Sequence, residues 1–331
     1  MFPNIGPTTL EQALSRLRRI AALLNGDQAL DGLTAKRAKD LDAQVCKAIV
    51  KTLDIKQATL APVEQFAAWT ARSNYLLPLE VFTVNYDLLL ETALERLRVP
   101  YFDGFVGTLR ARFHTELVEG MLGTDGEWMP AFFVRVWKLH GSVNWAWEDD
   151  KQIVRLGHPI TDGLTAAIYP SDTKYEESRR VPFIVLQDRL RRAMHQPETL
   201  VIISGYSFGD DHLNELIFDA ATRRERSEFV VFCYSHIPEP LAKRAAIAPN
   251  LQVLTGREAI LGGVRGEWKH LEGASPNLWS DGQFALRDFR NLAAYLARSA
   301  TQEPEGDLLL RNLLTRTVPE RDTSTVGKEN G

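Results

Sequence analysis

The stretch LVIISGYSFGDDHLNELIFDAAT, residues 200–222, decides the predicted fold. It opens with a continuous apolar run, which is typical of a strand that is covered on both faces in a parallel sheet. Gly205 and Gly209 interrupt this run, and a helical pattern starts at Asp210. A further apolar run at 228–235 completes a strand–helix–strand unit. Because strands joined through a helix lie parallel in one sheet, the sequence predicts an α/β fold with a doubly wound, Rossmann-like parallel sheet.

An earlier strand–turn–helix unit extends this pattern. The run LEVFTV, residues 79–84, is apolar and partly β-branched, and it passes through Asn-Tyr-Asp into LLLETALERL, whose leucines and alanines favour helix. Helical periodicity also marks residues 8–24, 35–53 and 63–76. The sequence therefore predicts one domain, 1–315, and a polar, disordered tail, 316–331. Within the domain we expect a helical region at 1–76, an α/β core at 79–268 with a helical insertion around 100–195, and a last helix at 284–298.

Composition narrows the possible function classes. The chain has 331 residues, 44% of them hydrophobic, which is enough for a substantial core. A net charge of -4 and a pI near 6.0 predict no direct nucleic-acid binding. The chain has neither an apolar run of membrane-spanning length nor the pattern of a signal peptide, so we expect a cytoplasmic protein without membrane contact. The two cysteines, Cys46 and Cys233, stand too far apart in sequence to suggest a C-x-x-C zinc site or a disulfide framework.

Polar residues follow three of the predicted strands. Asn85 and Asp87 follow the strand at 79–84. His140 follows a further predicted strand, VWKL, in the stretch VWKLHGSVNW, residues 136–145, and Asp210 ends the glycine-containing turn after the strand at 200–204. Each has a structural interpretation, because Asn and Asp cap helices, acids complement the helix dipole and single histidines occur in cores. In open parallel sheets, however, ligands bind at the carboxyl ends of strands. The joint occurrence of these residues at strand ends therefore favours a functional site.

The turn GYSFG, residues 205–209, fits two hypotheses. The first is the G-x-S-x-G nucleophile elbow of α/β-hydrolases, with Ser207 as the nucleophile. This hypothesis needs a histidine later in the chain, and the candidates are His212, His236 and His270. The second is a nucleotide site, in which the glycines let the backbone approach a phosphate or a ribose.

The nucleotide hypothesis gives the polar residues definite roles. The acidic pair Asp210 and Asp211 would repel a phosphate, so a ribose is the better partner for one of them. The amide of Asn85 can hold a ribose or a water molecule, and His140 can act as a general base near neutral pH. His212 and Glu215 form an H-x-x-E pair, but hydrolytic metal sites need further ligands from other elements, so no metal site is predicted.

Several motifs together resemble a known family. FTVNYD resembles the T-x-N-x-D segment of sirtuins, KLHGS resembles their catalytic L-H-G, and GYSF occupies the place of their G-T-S motif, in the same order. Longer stretches resemble bacterial SIR2-like proteins of antiviral defence systems, including those paired with a HerA-type ATPase. These stretches are VFTVNYDLLLETALE, YFDGFVG, WKLHGSVNW, YPSDTKYEESRRVPF and GYSFGDDHLNE. The resemblance covers residues 79 to about 268, and several motifs in order make it specific.

The resemblance implies hydrolysis of NAD+, in which water attacks the ribose as nicotinamide leaves. It assigns Asn85 to positioning the water or the nicotinamide ribose, and His140 to the role of general base. Departure of nicotinamide leaves an oxocarbenium-like sugar, which the protein must stabilise while presenting a water molecule, and no metal is required for this. Together with the nucleotide hypothesis, it predicts contacts to NAD+ at Thr83, Asp87, Gly141, Gly205, Ser207 and Asp210. The implied partners are NAD+, further copies of the chain in a homo-oligomer, and a HerA-type ATPase.

The chain also departs from the sirtuin pattern. It lacks the zinc-binding cysteines of deacetylating sirtuins, which argues against that activity. No strand with a G-A-G-x-S turn precedes MFPNIGPTTLEQAL, so either the protein starts upstream of Met1 or half of the phosphate site is missing. The second case predicts a catalytically impaired subunit that binds NAD+ or ADP-ribose. Val84 stands where sirtuins often have a polar residue, which predicts altered nicotinamide contacts.

Overall fold

The computed structural model describes most of the chain, as two compact units. The first unit draws on Met1–Gln196 and Gly209–Ile217, and the second on Pro197–Phe208 and Phe218–Gly331. The predicted tail and His270 lie outside the described residues. Among the helices that are described, none is long and apolar enough to cross a membrane. The described residues are 10–30, 32–53, 55–72, 75, 77–120, 133–149, 152–160, 166–168, 181–223, 226–269 and 275–299.

The first unit begins with three helices and a small hairpin. These elements are α1 (Leu10–Leu23), β1 (Ala29–Leu30), β2 (Leu33–Thr34), α2 (Ala35–Thr52), a 3-10 turn (Ile55–Gln57) and α3 (Ala61–Arg72). The three helices match those predicted from periodicity, with ends shifted by a few residues. Thr34 Oγ1 accepts the N–H of Arg37 at 3.2 Å, which caps the start of α2. Leu14 of α1 and Ile49 of α2 belong to one buried apolar cluster.

The rest of the first unit combines a parallel sheet, an antiparallel sheet and three further helices in its described part. In chain order its elements are β3 (Glu80–Thr83), α4 (Leu89–Arg96), β4 (Tyr101–Phe102), β5 (Phe105–Val106), β6 (Ala111–Phe113), α5 (Thr115–Glu119), β7 (Val134–Lys138), β8 (Gly141–Asp149), β9 (Gln152–Arg155), β10 (Ala166–Ile168) and α6 (Phe183–Met194). Strands β3, β7 and β4 form a parallel sheet with β7 in the middle. All five residues of β7 are buried, as expected for the central strand of such a sheet. The predicted α/β class is confirmed.

The predicted insertion around 100–195 contains more strand than helix in its described part. Strands β10, β8, β9, β6 and β5 form an antiparallel sheet in that order. Trp145 of β8 is buried there, and its ring lies 4.8 Å from that of Phe105. In GSVNWAW, residues 141–147, apolar residues alternate with Ser142 and Asn144, as in a strand with one exposed face, yet residues 141–146 are buried on both faces. Asn144 Nδ2 donates to the carbonyl oxygen of Leu156 at 2.9 Å, which lets an amide enter this core.

The second unit contains the strand–helix–strand pattern from which the fold was predicted. Its elements are β11 (Leu200–Ser204), α7 (Asp211–Arg223, shared with the first unit), β12 (Glu228–Phe232), α8 (Glu239–Ala245), β13 (Leu251–Leu254), β14 (Glu258–Leu261), β15 (Val264–Glu267), β16 (Trp279–Ser280), β17 (Gln283–Phe284) and α9 (Phe289–Ser299). Strands β11, β12 and β13 pair in parallel, and β14 and β15 extend the sheet antiparallel. The parallel pairing of β11 with β12 confirms this part of the sequence analysis.

Asp103, between β4 and β5, is a buried acid with an unusual pKa. Burial raises its pKa from 3.8 to about 6, although Arg155 and the N–H of Phe105 act in the opposite direction. Arg155 Nε lies 3.0 Å from Asp103 Oδ2, and the Phe105 N–H donates to Oδ1 at 3.1 Å. Between about pH 4 and pH 6 the folded state therefore binds a proton that the unfolded chain has lost. The free energy of unfolding consequently contains a contribution that falls as the pH rises through this window.

The substitution Asp103→Asn is expected to remove this pH-dependent contribution to the free energy of unfolding. From pH 5 to pH 7, the free energy of unfolding of the wild type should fall by about 1 kcal/mol more than that of Asp103→Asn. Urea unfolding at the two pH values measures the difference. Asp40→Asn, at an exposed position of α2, serves as the control and should follow the wild type. Equal pH dependence in wild type and Asp103→Asn would contradict the expectation.

Candidate functional site

The turn after β3 carries three of the predicted site residues. Thr83 ends the strand, and its Oγ1 accepts the N–H of Asn85 at 3.1 Å. Asp87 Oδ1 accepts the N–H of Leu89, the first residue of α4, at 2.9 Å, although the cap position itself is Leu88 and has no side-chain cap bond. Asn85 itself is exposed. Thr83 and Asp87 therefore shape the turn, while the amide of Asn85 remains accessible.

The turn after β7 lies directly against the turn after β3. The N–H of Leu139 donates to the carbonyl oxygen of Thr83 at 2.9 Å. The carbonyl oxygen of Tyr86 accepts two bonds, from the N–H of Val143 at 3.0 Å and from Ser142 Oγ at 3.3 Å. Because three bonds join residues 83–86 to residues 139–143, the segments that carry Asn85 and His140 are neighbours in space, as predicted for the ends of adjacent parallel strands.

His140 is paired with an acid from the third motif. Its side chain is 9% exposed, and Nε2 lies 3.3 Å from Asp210 Oδ2. The other carboxylate oxygen, Oδ1, accepts the N–H groups of His212 at 2.9 Å and of Leu213 at 3.2 Å. Asp210 therefore caps the start of α7 and contacts the candidate base at once. Gly141 follows with a φ of +88°, a conformation that favours glycine, so the chain can turn immediately after the histidine.

Asp210 is held in its charged form. Burial alone would raise its pKa, because a low-polarity environment penalises the carboxylate. The side-chain bond from His140, the N–H groups of Leu213 and His212, and the charge of His140 together outweigh burial and lower the pKa from its ordinary 3.8. Asp210 is therefore an ionised acceptor at neutral pH, facing the ring of His140.

Lys138, in the centre of the site's framework, was not singled out from the sequence. Its side chain is 3% exposed, and Nζ donates to a carboxylate oxygen of Glu91 at 2.9 Å. The same Nζ donates to the main-chain oxygen of Asp87. The bonds tie β7 to α4 and to the turn that carries Asn85. The sequence did contain an indication of this role. Lys138 stands inside the apolar run VWKL, and a lysine that is buried in a strand almost always has a partner.

The remaining predicted residues, Gly205 and Ser207, lie in the second unit. Gly205 has a φ of +70°, and a Cβ added there would have no atom within 4 Å, so the turn leaves open space beside it. Ser207 is exposed. The next residue, Phe208, has a φ of +57° and is buried, with its ring stacked 6.1 Å from Phe218. Phe208 therefore adopts a left-handed backbone conformation, which is unfavourable for a bulky residue. The packing of its ring offsets the cost of that conformation.

The polar groups of this region suit an organic ligand with hydroxyl groups. In the first unit they include the accessible amide of Asn85, the imidazole of His140 with the carboxylate of Asp210, and Gly141, whose lack of a side chain admits close backbone approach. Within the described ranges, no group of three or more histidine, cysteine, aspartate or glutamate side chains could hold a metal ion. His212 and Glu215 are both exposed on α7.

Comparison with protein families gives an independent result. The sequence profile of a family described as a SIR2-like domain matches residues 79–253, more than half of the chain. This range includes every residue that the sequence analysis predicted for the site. A comparison with curated proteins finds no match.

Proposed function

Because the chain belongs to the SIR2-like domain family, whose members bind NAD+, we propose that it hydrolyses the bond between nicotinamide and ribose in NAD+. The observation that carries the proposal is the meeting of Asn85, His140 and Asp210 in the first unit. Their three segments are linked by main-chain bonds between the two turns and by the His140–Asp210 contact at 3.3 Å. The three side chains supply an amide, a base and an ionised acid, and all three residues lie within the range that the family profile matches.

The reaction needs few groups. The bond between C1′ of the ribose and the ring nitrogen of nicotinamide breaks, and the electron pair leaves with nicotinamide, which becomes neutral. Positive charge develops on the ribose, and the oxygen of a water molecule bonds to C1′. Asn85 orients this water, because an amide both donates and accepts hydrogen bonds. His140 takes the proton that the water releases.

Further residues contribute to binding under this proposal. Gly141 lets the backbone approach the nicotinamide ribose. The contact of Gly205 and Ser207, in the second unit, with the adenosine ribose stays a prediction from the family resemblance. Thr83 and Asp87 support the turn of Asn85 from within, since the side-chain oxygen of each already accepts a main-chain N–H there. Val84 contacts the nicotinamide side with an apolar surface.

The biological setting is part of the proposal and rests on the longer motifs. Stretches such as YFDGFVG and GYSFGDDHLNE resemble SIR2-like proteins of bacterial antiviral defence. We accordingly propose a cytoplasmic homo-oligomer that depletes NAD+ when it is triggered, with a HerA-type ATPase as its partner.

Nicotinamide release from NAD+ tests the proposal directly. Purified protein is incubated with NAD+, alone and with a HerA-type ATPase, and the nucleotides are separated by chromatography. We expect nicotinamide and an ADP-ribose product to form in equal amounts as NAD+ disappears. Binding of NAD+ by calorimetry without any turnover would favour the alternative, a subunit that binds NAD+ or ADP-ribose. Fluorophosphonate labelling that Ser207→Ala removes would favour a serine hydrolase instead.

A further inference from the structure

Asp210 directs both of its carboxylate oxygens at groups of the protein. Oδ1 accepts two main-chain N–H groups at the start of α7, which fixes the position of the side chain. Oδ2 lies 3.3 Å from His140 Nε2. The adjacent Asp211 is exposed on the first turn of the same helix. A carboxylate fixed in this way sets the orientation of the imidazole that it contacts.

The contact also decides which ring nitrogen carries the proton. A neutral imidazole has one N–H donor and one unprotonated acceptor nitrogen. An ionised carboxylate can only accept hydrogen bonds, so the nitrogen that faces it is the protonated one. With Nε2 directed at Asp210, the lone pair of the ring lies on Nδ1.

We propose that Asp210 is a positioning residue that holds His140 as the Nε2–H tautomer and thereby makes Nδ1 the nitrogen that accepts the proton from water. The catalytic part of this inference rests on the proposed NAD+ hydrolysis, whereas the tautomer does not. The role differs from a contact with ribose, because the carboxylate acts through the histidine and not on the substrate.

Two substitutions separate this role from the helix cap. Asn and Ser both supply a side-chain oxygen for the N–H groups at the start of a helix, so Asp210→Asn and Asp210→Ser retain the cap. Asn offers an amide without charge to the histidine, and Ser is too short to reach Nε2. Asp211→Asn is the matched control, because it removes a neighbouring charge from the same helix turn.

The first readout is the ring-nitrogen NMR spectrum of the ligand-free protein, labelled with nitrogen-15 in its seven histidines. The His140 signals are assigned by their loss in His140→Gln. We expect Nε2–H alone in the wild type and in Asp211→Asn. Asp210→Asn is expected to shift the ring toward Nδ1–H, because its side-chain NH2 can donate to an unprotonated Nε2, and Asp210→Ser is expected to give a mixture of the two tautomers. A wild-type ring protonated on Nδ1, or a tautomer that Asp210→Ser does not change, would overturn the inference even if NAD+ is never hydrolysed.

The second readout is the kinetics of nicotinamide release. Asp210→Asn and Asp210→Ser are expected to lower kcat by about 100-fold and to leave KM within about twofold, because the wrong tautomer impairs proton transfer and not binding. A rise in KM at unchanged kcat would instead assign Asp210 to ribose binding and refute the positioning role. If the wild type releases no nicotinamide, the proposed function fails while the NMR result still decides the tautomer.

Discussion

Replacing His140 or Asn85 with alanine is expected to lower the rate of nicotinamide release from NAD+ by at least about 100-fold. Removal of a general base typically costs a factor of about 10² to 10⁴. His140 is the imidazole beside an ionised carboxylate, and Asn85 is the accessible amide on the neighbouring turn. The rate is measured from nicotinamide formation under saturating NAD+.

Controls separate loss of chemistry from loss of fold. His158→Ala replaces an exposed histidine of the first unit, whose ring contacts the carbonyl oxygen of Pro159, and should retain the wild-type rate. Far-ultraviolet circular dichroism and NAD+ binding should be preserved in Asn85→Ala, since the side-chain amide does not hold the turn together. Full activity in His140→Ala would refute its assignment as the base.

Lys138→Met is expected to lower the free energy of unfolding by about 3 to 5 kcal/mol, the cost of removing one partner of a buried ion pair. The substitution keeps much of the side-chain length but removes the charge that binds Glu91 and the main-chain oxygen of Asp87. It leaves the mostly buried carboxylate of Glu91 without its cation. Urea unfolding at pH 7 measures the effect.

A double variant distinguishes the buried charge from packing. Lys138→Met combined with Glu91→Leu removes both charges, and replacing a whole buried pair with apolar groups is often close to neutral. The double variant should therefore be more stable than Lys138→Met alone, a non-additivity expected for residues in contact. A single variant within 1 kcal/mol of the wild type would show that the pair contributes little to stability.

The sequence predicted those parts of the fold that depend on local pattern. Helices α1, α2 and α3 repeat apolar residues at helical spacing, and β11 is a short apolar run ended by Gly205, so chain-local physics is sufficient for both. Strand β8 alternates apolar with polar or small residues, which is typical of a strand with one exposed face, so its burial on both faces could not be predicted in the same way. Its polar residues are accommodated by partners distant in sequence, such as Leu156 for Asn144.

The candidate site likewise has some features that local sequence predicts and others that depend on contacts between residues distant in sequence. Asn85, Asp87 and His140 were predicted because each directly follows a strand, and neighbouring parallel strands bring such residues together. The pairing of His140 with Asp210 joins residues 70 positions apart and depends on where α7 begins relative to β7. The partner of Lys138 was likewise invisible, since Glu91 looks like an ordinary residue of an amphipathic helix.

The bonds between the two turns have a consequence for how such proteins diverge. The contacts that fix the turns to each other end on the main-chain oxygens of Thr83 and Tyr86, and two of the three donors are main-chain N–H groups. Neither Asn85 nor His140 contributes a side-chain atom to them. Under the proposed function, a mutation of the exposed Asn85 can therefore abolish the chemistry without an immediate folding penalty. Loss of the buried His140 differs, because it leaves the carboxylate of Asp210 without its partner. Descendants that lose Asn85 first can persist as folded, inactive nucleotide-binding paralogues.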